Sequence, residues 1–337
     1  MNSLSVLGKY LDQPKLVKRI SDGVPAILVI GGTVFTINEV RKAPKGEKRK
    51  TFIKNTAVLT GTIASAIAAP SIAKKLVKCH HHHHHHNIGE EIDEFLNTTA
   101  VSENTRKYLN EAKTKILGFS KIKTIFEELG QNKESKEFLD ELIPNPENID
   151  SNHIFKEDVK RLSILGLIPV LGGITGGIVG DKITEKDWKQ RVPDKIKEGA
   201  YQYLANIFLC NIGAGAALFA MEKAKVQSKA WRALGMVGGI ILTGIIFGST
   251  MANLIGKKLI DPIFKHKHHD GQGPHKHRKI FDERKPEALD FGLHVDDVAT
   301  VAVMSGLKWI EPALPILYSI SGYRAGIGYR NNEKGQK

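Results

Sequence analysis

Six runs of uncharged, mostly apolar residues limit what this chain can fold into: 24–37, 55–73, 162–180, 200–221, 233–255 and 298–322, of which only the last is interrupted by charges. A bilayer core about 30 Å thick is crossed by roughly 20 helical residues, and a soluble helix of that length keeps a polar face. The fourth and fifth runs reach that length without help. The second and third, at 19 residues each, fall within the tolerated range of about 17–25. The first, at 14 residues with Gly31 and Gly32 inside it, is short for a span.

A soluble protein could hide one all-round apolar helix at its centre. The fifth run leaves no polar face for water, and covering four or five such helices in 337 residues would leave too little chain for a shell. The fold class is therefore all-α: a polytopic helical membrane bundle of five or six spans with a small helical extramembrane segment. The slightly hydrophilic mean hydropathy and the net charge of +13 describe the loops between the runs, not the runs.

The chain divides by composition into a basic amphipathic interfacial segment (1–23), a membrane hairpin (24–76), a His tract with an acidic helical segment (77–160) and three spans (161–256). A basic His-rich loop (257–295), a last span (296–326) and a polar tail (327–337) follow. Basic residues are retained on the cytoplasmic side of short loops. Six of them lie at 41–50, six at 182–197 and nine at 257–285, all on one face if every run crosses once, whereas 222–232 has four. Segment 87–160, with 16 acidic and 10 basic residues, then lies on the opposite face. This predicts a bacterial inner membrane protein with both termini outside in the six-span case. If the N-terminal helix lies instead on the cytoplasmic surface, run one does not cross and five spans remain. The basic loops imply anionic lipid as a partner; without interleaved aromatics they do not point to nucleic acid.

Within 87–160, apolar periodicity predicts amphipathic helices over 104–119, 121–129 and 135–143. So thin a core calls for packing on the membrane domain or on a protein partner.

Glycines spaced four apart form the strongest local pattern: Gly172, Gly176 and Gly180; Gly173 and Gly177; Gly235 and Gly239; Gly244 and Gly248; Gly322 and Gly326. On a helix each set shares one face and lets two backbones approach closely, which substitutes for the absent hydrophobic force between helices in lipid. The pattern resembles the glycine zippers of many unrelated membrane proteins and identifies no family. It predicts helix packing within or between protomers, and so a homo-oligomer.

Two His-rich tracts suggest a divalent transition metal such as Zn, because neutral imidazoles on a flexible loop assemble ligands readily. One is residues 80–86, native or an inserted tag; the other holds His266, His268, His269, Asp270, His275 and His277. Such loops look like those of several metal-ion transporter families, whose intramembrane His/Asp pair is missing here. Only His294, Asp296 and Asp297, at the mouth of the last run, come near it.

Polar groups at membrane depth supply candidates for a transport path. Lys308 and Glu311 are three apart, followed by the helix breakers Pro312 and Pro315; Asn206 and Cys210 are four apart in the fourth run. No phosphate loop, Cys-x-x-Cys, His-Glu-x-x-His or Gly-x-Ser-x-Gly motif is present, and no catalytic residue is assigned. Three functions are therefore expected in order: a structural or interaction scaffold built by glycine-mediated helix association, a divalent metal transporter or channel, and a lipid-associated membrane enzyme.

Overall fold

The first five apolar runs fold as helices in the computed structural model, which describes residues 7, 9–77, 88–142, 154–226, 229–265, 295–304 and 307–328. No strand occurs among these residues. Five helical stretches are long and apolar enough to cross a membrane: Pro14–Lys42, Lys48–Leu76, Lys156–Thr184, Trp188–Lys223 and Leu234–Phe264. They fit an integral membrane protein. The five are not the expected set. Run one lies inside a 29-residue helix, lengthened on both sides of residues 24–37 by mostly polar and charged flanks. Run six is not one helix: Val295–Met304, a 3₁₀ segment Lys308–Ala313 containing Pro312, and Leu314–Ile327 replace it. Pro312 lies inside the 3₁₀ segment, where its missing backbone donor and its clash with the preceding turn disfavour an α-helix, and Pro315 stands in the first turn of the helix that follows, where the missing donor costs nothing.

In chain order the helices are α1 (Pro14–Lys42), α2 (Lys48–Leu76), α3 (Ile88–Thr98), α4 (Glu103–Ala112), α5 (Phe119–Leu129), α6 (Lys133–Leu142), α7 (Val159–Thr184) and α8 (Val192–Tyr203). They continue with α9 (Leu209–Lys223), α10 (Lys229–Ile240), α11 (Ser249–Ile255), α12 (Asp261–Lys265), α13 (Val295–Met304) and α14 (Leu314–Ile327). Single π-helical stretches join α8 to α9, α10 to α11 and α11 to α12, so these segments run on without a loop. The chain forms two compact units, one of residues 1–23, 79–150 and 302–313, the other of 24–78, 151–301 and 314–337.

The smaller unit is closed by α3–α6. Ile92, Leu109, Ile122, Ile125, Phe126 and Leu139 bury its core, and Tyr10 packs on it. The first of the predicted helices is shorter than expected, ending at Ala112 rather than Phe119. Gln13 explains how the chain leaves the helix without stranding its backbone: its amide accepts from Leu117 N–H at 2.8 Å and donates to Leu117 O at 3.1 Å. Leu117 is thereby buried outside any helix. Helix α3, not anticipated from the sequence, supplies Ile92, Phe95 and Leu96 to this core.

In the larger unit α2 packs antiparallel to α7, and α14 lies against both. Glycines stand where these backbones meet. A Cβ built on Gly172 would overlap Ser65 Oγ and the Gly61 carbonyl, one on Gly176 the Ala57 carbonyl, and Gly180 lies 3.2 Å from Ala57 Cβ by the same construction. On the other side of α7, Gly173 and Gly177 face the carbonyls of Gly322 and Gly326. In the second contact, between α9 and α10, Gly239 faces the Gly213 carbonyl and Gly235 the Met221 Sδ; Gly244 and Gly248, beyond α10, meet Cys210 Sγ and Ala205. Large apolar side chains point outward instead: Ile30 on α1 and Leu234 and Phe247 along the α10 segment are each about 60% exposed. An outward apolar surface of this kind is what a lipid-facing helix presents.

Candidate functional site

Polar side chains are buried in the larger unit along a line that follows α7. At its C-terminal end Asp181 receives Lys54 at 3.1 Å and Lys195 at 2.9 Å, with Lys195 almost wholly buried. Lys195 also donates to the carbonyls of Gly326 at 2.7 Å and Ile327 at 3.2 Å, closing the α14 C-terminus, where carbonyls lack helical partners and a cation is favoured. Gly328 makes that closure possible: at φ +81° its N–H returns to Arg324 O at 3.0 Å, a left-handed cap that a Cβ would strain. One turn beyond Asp181, Glu185 gathers Lys50 at 2.8 Å, Lys54 and Arg191 at 3.3 Å. Burial alone would raise the Glu185 carboxyl, but these cations outweigh it and hold it down at about 2.

From this ionic end the line continues down α8. Glu198, opposite Arg324 at 3.7 Å, accepts from Gln202 Nε2 at 2.7 Å, and Gln202 Oε1 accepts from Asn206 Nδ2 at 2.9 Å. The three stand at i, i+4 spacing on one helix face and are at most 4% exposed. The π stretch after Tyr203 inserts an extra residue into the turn, after which both Cys210 and Asn211 face inward. Cys210 Sγ donates to Ala205 O at 3.0 Å and faces the Asp297 carboxyl. Asn211 Nδ2 donates to Ser163 Oγ at 3.4 Å, and Thr300 lies 3.3 Å from the Tyr318 hydroxyl. Asp296 and Asp297, in the first turn of α13, are buried beside this group. Ser163 and Asp181 are 18 positions apart on α7, roughly 27 Å of helix, close to the thickness of a bilayer core.

Two sequence candidates, Asn206 and Cys210, thus stand on the column. Glu311 belongs to the smaller unit, and the Lys308 side chain lies outside the described residues, as do His266, His268, His269, Asp270, His275, His277, His294 and residues 79–86. Among the described residues no cluster of three or more His, Cys, Asp or Glu is arranged to hold a metal ion. Glu198 and Gln202 were missed by the sequence reading because they flank the start of an apolar run; extending the Asn206–Cys210 spacing backwards by fours would have found both. Ser163, Thr300 and Tyr318 come from three different helices and carry no local signal.

Sequence, geometry and topology agree on the class, an all-α protein with the helices of an integral membrane bundle. Comparison with protein families, characterised proteins and solved structures finds no match for the chain.

Proposed function

We propose that this chain is a membrane scaffold: a helical bundle of the bacterial inner membrane, zipped by glycines, whose basic loops at 41–50 and 182–197 face the cytoplasm against anionic lipid. The observation that carries the reading is the backbone contact of α7 with α2 on one side and α14 on the other, each made at glycine. Such contacts favour a rigid bundle over a moving one, since close-packed backbones have little room to slide. Gly31 and Gly238 have open space above them and are left for association between copies, and the α3–α6 surface for a protein partner. Cross-linking and native mass spectrometry of the full chain in nanodiscs test the self-association. A dimer or higher oligomer weakened by Gly238→Leu is expected; a strict monomer at all loadings overturns it.

The buried column favours a second reading, transport, with a divalent metal as the cargo suggested by the His-rich loop. Zinc uptake into proteoliposomes should fall when His266, His268, His269, His275 and His277 are replaced by Ala. Uptake equal to that of protein-free vesicles in the parent discards this cargo.

A further inference from the structure

Among the described residues, the column contains one group whose charge no cation near it balances. Asp296 is 3% exposed, and no side chain among the described residues hydrogen-bonds to either carboxylate oxygen; only the backbone N–H groups of its own turn approach them. An ionised carboxylate left bare in such surroundings is strongly disfavoured, so a group of this kind takes up a positive ion or a proton. Its neighbours are the right kind to complete such a site. Asp297 on the same turn, the Tyr318 hydroxyl from α14 and the Cys210 thiol from α9 face the pair, and none of them is cationic. Asn211, hydrogen-bonded to Ser163, and Thr300, paired with Tyr318, add neutral oxygens. With five oxygen-bearing side chains against a single thiol that already donates to the Ala205 carbonyl, the set suits a proton or an alkali cation better than a soft transition metal. The first turn of α13 contributes no cation of its own, only backbone N–H groups and the helix dipole.

We propose that Asp296 is the binding carboxylate of an intramembrane site for a small monovalent cation, a proton or Na⁺, formed with Asp297, Tyr318, Thr300 and Asn211. The site stands whether the chain is a scaffold or a transporter. As a stabilising site it locks α13 onto α9 and α14; as a transport site it loads the column that leads through Asn206 and Gln202 to Glu198. Either way occupancy stabilises the folded bundle, because only the folded state assembles the donors.

The test uses the full-length protein in nanodiscs, with protons and NaCl as probes and choline chloride as the ionic-strength control. Infrared difference spectra across a pH titration should show the carbonyl stretch of a protonated carboxylic acid in the wild type and its loss in Asp296→Asn. If NaCl removes that band and raises the melting temperature while choline chloride does neither, the ion is Na⁺. If the band persists in NaCl, it is the proton. Asp296→Asn should melt no lower than the wild type whose site is empty, at high pH without Na⁺, since it removes a bare charge without changing shape, and its melting temperature should respond to neither probe. A wild type with no protonated-acid band and no response to Na⁺ overturns the proposal, whatever the variant does. So does a band or a Na⁺ response that survives in Asp296→Asn.

Discussion

A single hydrogen replaced by a methyl separates two classes of glycine in this bundle. At Gly173 a Cβ would run into the Gly322 carbonyl, backbone that cannot rotate away, whereas at Gly238 it would meet nothing within 4 Å. Gly173→Ala should therefore destabilise the protein by about 1–3 kcal/mol, the range for overpacking a close contact. Gly238→Ala should be neutral or stabilise by up to about 1 kcal/mol through helix propensity. Parallel unfolding of both variants in detergent checks the pair, and equal effects at the two positions would remove glycine contact as the explanation. Glu185 makes a second residue-scale prediction. Its carboxyl loses charge near 4.5 when unfolded but near 2 when folded, so its stabilisation is complete above the first value and disappears as pH falls through the second. Wild-type stability should fall across that window, and Glu185→Gln, less stable by about 1–3 kcal/mol at neutral pH, should show a shallower fall.

At the level of elements, α4 depends on a residue outside it. Ser102 caps its first turn, accepting from Thr105 N–H at 3.2 Å, and Glu128 from α5 accepts from Ser102 N at 2.6 Å, Ser102 Oγ at 2.5 Å and Thr105 Oγ1 at 2.5 Å. Burial raises the Glu128 carboxyl, but those donors outweigh it and hold it below its ordinary value. Ser102→Ala should cost about 1 kcal/mol, the usual loss of a cap, and speed hydrogen exchange at the α4 N-terminus and at Glu128's own turn. Unchanged exchange in both turns would show the cap to be dispensable. The same helix shows where sequence reading stops. Its apolar stripe was visible, but the pattern ran on through Ile116 and Leu117, and only the distant Gln13 reveals that the chain leaves the helix first. Length and composition sufficed for the long helices because lipid demands both of them. Glu198 and Gln202 went unread although their partners lie four residues away on the same stretch, and Asp296 was visible only by its place at the mouth of the last run; Ser163, Thr300 and Tyr318 were harder, since their partners lie on other helices.

For the whole molecule the question is which runs cross the membrane, and the answer changes which end of the chain lies where. Six crossings would return both termini to one face. Five, with α1 crossing and the α13–α14 region broken, put residues before α1 and residues after Leu234–Phe264 on opposite faces. The decisive element is α1: its 29 residues exceed what roughly 30 Å of hydrocarbon needs, it carries Ile30 and Val34 outward, and Arg41 and Lys42 close its C-terminus. Those cations continue into the basic stretch at 41–50, which the positive-inside rule retains in the cytoplasm along with 182–197. In a Cys79→Ser background, single cysteines at Lys18, Gly46, Lys189 and Ala224, all exposed, discriminate the cases. An impermeant maleimide added to intact cells should label Lys18→Cys and Ala224→Cys but reach Gly46→Cys and Lys189→Cys only after permeabilisation. Labelling of Lys18→Cys only after permeabilisation would place the N-terminal helix on the cytoplasmic surface. Run one would then lie along or re-enter the membrane, with α1's outward apolar face buried in one leaflet.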